Sequence, residues 1–234
     1  MILTVMIFAN FVRCMKKISD RIYYVGVNDL DKVLFEGLWP LPYGVSYNSY
    51  LIVDEKIALI DTVECGFEDE YLAEIREAIG DRKVDYMVVN HMEPDHSSLI
   101  SLICAEYPDV KIVVNAKTVP MIKGYHGTPD EKLHVVAEGD SLNLGTCTLN
   151  FHMVPMVHWP ETMVTWMPEE NTVFSGDAFG TFGAVAEDPV DAEGIFEQYS
   201  DEMIRYYSNI VGKYGVPVQA ALKKLSGLPV ERIC

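Results

Sequence analysis

The chain has five cysteines, Cys14, Cys65, Cys104, Cys147 and Cys234, and no two of them form a C-x-x-C pair. Such scatter argues against a disulfide framework and fits a reducing, cytoplasmic setting. Positive charge is also scarce. Eighteen Lys and Arg stand against 35 Asp and Glu, a formal net charge of −17, and attraction to a phosphate backbone needs cations to displace counterions, so a nucleic-acid partner is excluded. The one markedly apolar terminus, MILTVMIFANFVRC at 1–14, has no positive charge before its apolar run and no small-residue cleavage site, unlike a secretory signal. It falls short of the roughly 20 residues a membrane helix requires, and a second natural start follows at Met15-Lys16-Lys17. Residues 1–14 are therefore read as an extra segment from an upstream start, with no function and no membrane role. No stretch is rich enough in Pro, Gly or Ser to be a linker, and no 20–50-residue period repeats, so residues 15–234 are read as one domain.

What is present supports a large core: 49% of the 234 residues are hydrophobic and 23% charged. Short β-branched runs at Tyr23 to Val27, Ser49 to Val53 and Ile57 to Asp61 predict hairpins, the last two joined by Asp54-Glu55-Lys56. Helical spacing of Tyr71, Leu72, Ile75 and Ile79 predicts a helix over 67–79 before a buried-type strand at Val84 to Asn90. Helix then alternates with strand: helices at 98–107 and 119–125, strands at 111–114 and 133–136. After Gly139 strands return at 146–153, 162–167 and 172–175, followed by helices at about 196–212 and 218–225. Two strand-rich halves, each followed by helices, fit a four-layer α/β sandwich with two facing sheets and helices outside.

Metal-competent side chains concentrate where the strand Tyr86 to Asn90 ends. His91, Glu93, Asp95 and His96 fall within six residues, at i, i+2, i+4 and i+5, in a turn that leads into a helix and lets them converge. At ordinary residue abundances a chance match to all four positions is roughly one in a thousand, which disfavours a merely solvated loop with a helix cap. Two later positions resemble ligand loops, His158 in Val157-His158-Trp159-Pro160 and Asp177 in Ser175-Gly176-Asp177. Each alone reads as easily as a packed histidine or a turn, and their order behind the first motif raises both.

Together, H-x-E-x-D-H at 91–96, His158-Trp159-Pro160 and Ser175-Gly176-Asp177-Ala178-Phe179-Gly180 resemble the flavodiiron proteins, or A-type flavoproteins. The likeness runs from about Lys17 to Cys234 and takes in the opening 22–29 and the helix 206–214. It implies a metallo-β-lactamase-like αββα sandwich holding two non-haem irons that reduce dioxygen to water or nitric oxide to nitrous oxide. By that resemblance one iron takes His91, Glu93 and His158, the other Asp95 and His96, and Asp177 bridges them. Hydrolytic zinc relatives carry H-x-H-x-D-H; here Glu93 is a harder oxygen donor, suited to iron cycling between ferrous and ferric states.

The resemblance also sets expectations that the sequence does not meet. The family's last ligand is a histidine in a Pro-Ser/Thr-His-Gly-like loop, and Gly227 to Cys234 reads as the approach to it, with no histidine after His158. His126, His134 and His152 lie in a turn and in strand-like runs, away from the expected place. The family's flavodoxin-like domain, which holds flavin mononucleotide and serves the neighbouring subunit of a head-to-tail homodimer, has no counterpart in a Gly-rich phosphate loop here. The expectation is a chain that binds no flavin itself and takes electrons from a separate flavodoxin-like or rubredoxin-like donor. Two other readings are a zinc-dependent hydrolase of a small ester or thioester and a non-catalytic fragment. Tyr206, Tyr207 and Tyr214 are read as core or dimer-contact residues outside the site, and Trp159 and Phe179 as packing or pocket walls.

Overall fold

A computed structural model describes residues 15–184 and 195–234; the extra segment read at 1–14 lies outside them. The first half opens with β1 (Lys16–Lys17), β2 (Ile22–Tyr24), β3 (Val27–Asp29), β4 (Leu34–Phe35), β5 (Trp39–Pro40), β6 (Val45–Tyr47), β7 (Tyr50–Val53) and β8 (Ile57–Ile60). It continues through α1 (Glu68–Ile79), β9 (Tyr86–Val88), α2 (Pro94–Ser97), α3 (Ile100–Glu106), β10 (Lys111–Asn115), α4 (Thr118–His126) and β11 (Leu133–Val136). Its seven-stranded sheet has the order β1-β2-β7-β8-β9-β10-β11, antiparallel as far as β8 and parallel from β8 to β11. Parallel neighbours need crossover connections, and α1, α2–α3 and α4 supply them.

The second half contains β12 (Ser141–Asn143), β13 (Thr148–Met153), β14 (Met163–Met167), β15 (Thr172–Phe174), α5 (Ile195–Tyr206), α6 (Gly215–Leu225) and β16 (Arg232–Ile233). The first four strands form an antiparallel meander, and β16 joins β15 in parallel. Strand side chains alternate, and the alternation divides the core in two. Ile52, Ala58, Ile60 and Val88 face Leu149, Phe151, Met163 and Phe174 between the sheets, while Leu51, Leu59, Met87 and Val89 face Tyr71, Ile75 and Ile103 of the helices. The expected αββα sandwich is the observed one.

Three elements differ from expectation for identifiable reasons. The run 23–27 breaks at Gly26, where a Cβ would lie 2.3 Å from the Tyr47 carbonyl oxygen, so β2 and β3 join different sheets. The β4–β5 hairpin carries too little apolar alternation to be recognised from sequence; Gly37 lies in the left-handed region with φ +70° at its turn. Beyond α5 the chain winds through one π-type turn at Tyr207–Val211 and a 3-10 turn at Gly212–Tyr214 before α6 begins at Gly215, earlier than the expected 218.

Candidate metal centre

One edge of the sandwich collects the C-terminal ends of β8, β9 and β15 and the β13–β14 connection. Asn90 joins them. Its side chain donates to the Phe174 carbonyl and accepts from Thr165 Oγ1 at 2.8 Å, and its backbone N–H donates to Asp61 Oδ1 at 2.7 Å. The sheets are thus fixed against each other directly beneath the H-x-E-x-D-H turn. Pro94 starts α2 within that turn, where its missing N–H costs nothing, and Ser97 Oγ donates to the carbonyls of Met92 and Glu93. These bonds hold residues 91–96 in place. Asp177 sits in a 3-10 turn, Gly176–Phe179, that starts at Gly176 with φ +52°.

All six residues singled out in the sequence come together. Glu93 Oε2 lies 2.9 Å from His158 Nε2 and 3.3 Å from His91 Nε2; Asp177 Oδ2 lies 2.9 Å from His158 Nε2 and 3.4 Å from His91 Nε2. The other oxygen of Asp177, Oδ1, lies 2.8 Å from His96 Nε2, which is 3.7 Å from Asp95 Oδ2. His91, Glu93, His158 and Asp177 form one donor group and Asp95, His96 and Asp177 a second. Donors bound to one small cation at right-angled to tetrahedral geometry lie about 2.9–3.4 Å apart, the range found in the first group.

Electrostatics point the same way. Among the described residues no Lys or Arg pairs with Glu93, Asp95 or Asp177; their ion-pair partners are histidines. Burial disfavours charge on His91, yet the hydrogen bonds its ring N–H groups donate to the Glu161 and Glu93 carboxylates outweigh it and raise the imidazole to about 10. His158 is raised to about 9 against the same burial by Asp177 and Glu93, and His96 far above its ordinary value by Asp95 and Asp177. Burial pushes Asp95 up to about 7, whereas bonds from His158 and His91 overcome burial and hold Glu93 at about 2. Protons on three imidazoles supply the positive charge this acidic cavity demands. Asp95 Oδ1 and His96 Nδ1 are buried without a hydrogen-bond partner, as metal-binding groups without their cation would be. The donor set, carboxylates and imidazoles without thiolate, fits iron.

Four residues that the sequence reading did not place in the site lie around it. Glu161 Oε1 lies 2.9 Å from His91 Nδ1, and Asp61 approaches His96 Nδ1 at 3.7 Å. Tyr206, read as core, is buried, and burial with the nearby Asp177, Asp95 and Glu93 carboxylates raises its hydroxyl well above the ordinary value. Glu36, in the β4–β5 turn, has its carboxyl raised by partial burial and by the Glu93 carboxylate. Only Asp61 carries a local signal, a charged residue closing the apolar strand β8. The others come from distant segments. Trp159 packs its edge against His91 at 5.2 Å between ring centroids, and a cavity of about 230 Å³ runs from Asp95, His96 and Asp177 past Tyr50 and Phe179 to Cys234. His126, His134 and His152 stay away: His126 contacts Ser101, His152 contacts Glu138 and His134 lies on β11.

Comparison with known proteins agrees with this geometry. The family described as ODP family beta lactamase matches residues 45–234. An uncharacterized protein of Methanocaldococcus jannaschii is 39% identical over 220 residues, 93% of this chain and 54% of that protein. The anaerobic nitric oxide reductase flavorubredoxin of Shigella dysenteriae is 36% identical over 223 residues, 92% of this chain and 46% of that protein. Among solved structures, rubredoxin oxygen:oxidoreductase from Desulfovibrio gigas superposes with TM-score 0.87 at 31% identity, over 94% of this chain and 55% of that one. The flavodiiron protein from Giardia intestinalis superposes with TM-score 0.87 at 29% identity, over 94% and 53%. The chain spans about half the length of the curated relatives it matches.

Proposed function

The chain belongs to the ODP family of metallo-β-lactamase-like domains, and from that premise we propose that it is the diiron domain of a flavodiiron-type oxidoreductase, reducing dioxygen to water or nitric oxide to nitrous oxide. The observation that carries the reading is the pair of donor groups sharing Asp177, one oxygen in each. His91, Glu93 and His158 with Asp177 Oδ2 would hold one iron, and Asp95 and His96 with Asp177 Oδ1 the other. Two irons so placed would share the electrons that a diatomic substrate takes up.

The chain's own residues prepare the setting. Trp159 closes the His91 side, and Phe35, Phe182 and Tyr206, with centroid separations of 5.5 Å and 5.1 Å, form an aromatic wall of the cavity that reaches the second donor group. Burial, with the Asp177, Asp95 and Glu93 carboxylates nearby, raises the Tyr206 hydroxyl well above its ordinary pKa, so it keeps its proton. Glu93 supports iron over zinc because a carboxylate offsets the charge gained on oxidation.

Electrons reach such a site from a donor carrying flavin mononucleotide or a rubredoxin-type centre, and the arrangement is a head-to-tail homodimer. Exposed apolar side chains around the β4–β5 hairpin, Leu30, Val33, Leu34 and Leu38, support docking there, beside Glu36 and the site. The deciding experiment is metal analysis of anaerobically purified protein, alone and as the His91→Ala, Asp177→Ala double variant. About two irons per chain, lost in the variant, are expected; zinc would instead favour a hydrolase, and no metal would sink the reading.

A further inference from the structure

Imidazole has two nitrogens, and a neutral histidine must carry its proton on the one that does not face the metal. His91 Nε2 faces Glu93 and Asp177 at 3.3 and 3.4 Å, so Nδ1 must keep the proton. Nδ1 lies 2.9 Å from Glu161 Oε1, with both side chains fully buried. Glu161 is itself fixed: Oε1 also accepts the backbone N–H of Met92 at 3.0 Å, and its carbonyl accepts Asn115 Nδ2 at 2.5 Å. Its second oxygen, Oε2, is buried without a hydrogen-bond partner. A neutral glutamine would satisfy Met92 equally well, so packing alone gives no reason for a buried charge here. His96 differs: its Nδ1 stands 3.7 Å from Asp61 Oδ2, beyond hydrogen-bond reach.

We propose that Glu161 is a positioning residue of the metal centre, whose carboxylate holds the Nδ1–H of His91, aims the Nε2 lone pair into the first donor group and increases its basicity. The role rests on the metal-centre reading above. Loss of such a carboxylate partner typically weakens metal affinity by about 10 to 100-fold.

Zinc, being diamagnetic, is the probe. Chelator competition with the full chain should show about 10 to 100-fold weaker zinc binding in Glu161→Gln, and no further weakening when the same change is made in a His91→Ala background. Unchanged affinity in Glu161→Gln, or an equal loss in both backgrounds, overturns the proposal. Nuclear magnetic resonance of the zinc-loaded wild type, 15N-labelled at histidine, decides independently of whether the variants fold: a protected proton on His91 Nδ1 is expected, and a proton on Nε2 overturns the role. A wild-type chain that takes up no zinc and no iron overturns the metal centre, and this role with it.

Discussion

At the scale of the residue, the site is a competition between protons and metal. His158 at about 9 and His91 at about 10 lie above the ordinary histidine value of 6.5. A histidine raised in this way stabilises the metal-free fold fully below about pH 6.5, and that contribution disappears as pH rises through 9 to 10. Metal must displace the same protons, so zinc affinity should tighten from about pH 6 to pH 9, by about tenfold per pH unit for each proton displaced. Chelator competition across that range checks the sign, and a flat profile would contradict the assignment of these imidazoles. A separate prediction concerns Glu93. Glu93→Gln removes a carboxylate that stabilises ferric iron, and redox titration followed by electron paramagnetic resonance should show a more positive ferric/ferrous potential than in the wild type. The motif at 91–96 was legible in sequence because its donors are close neighbours. Glu161 and Tyr206 were not, since nothing within 155–165 or 200–210 records which histidine or carboxylate lies across the fold.

Among the elements, the closest constraint is where β2 gives way to β3. A Cβ on Gly26 meets the Tyr47 carbonyl at 2.3 Å and the Tyr24 ring at 2.6 Å. Gly26→Ala should therefore cost about 1–3 kcal/mol, read as a lower denaturation midpoint at unchanged slope. Asn90 is the second element-scale constraint, because its side chain bonds Phe174 on β15 and Thr165 on β14 from the end of β9. Thr165→Val deletes one partner and leaves Asn90 Oδ1 buried and unpaired, at a cost of about 1–3 kcal/mol by the same measurement. Helices α1 and α4 and strands β7 to β11 could be placed from periodicity alone, since each buries one face against a sheet. The β4–β5 hairpin could not, because its short strands carry no apolar alternation and pair only with each other.

For the whole molecule, a cation that binds the native chain and not the unfolded one adds its binding energy to folding. Free zinc at about 100 times the Kd at pH 7 should stabilise the chain by about 2.7 kcal/mol per site, visible as a higher thermal midpoint, and at that same zinc concentration the gap to the metal-free chain should widen as pH rises from 7 to 9. An equal midpoint with and without metal would mean that the donor groups do not bind it in the native fold. The sequence by itself pointed to the αββα class, through two strand-rich halves each followed by helices, and to the four donors at 91–96, through their short-range spacing; His158 and Asp177 were singled out by their order behind that motif and by the family resemblance. Only the tertiary structure decided that Asp177 offers one oxygen to each donor group and that Glu161 reaches His91. Those contacts join residues from 19 to 81 positions apart. Side chains so far apart meet through the packing of two sheets, a relation that no local pattern encodes.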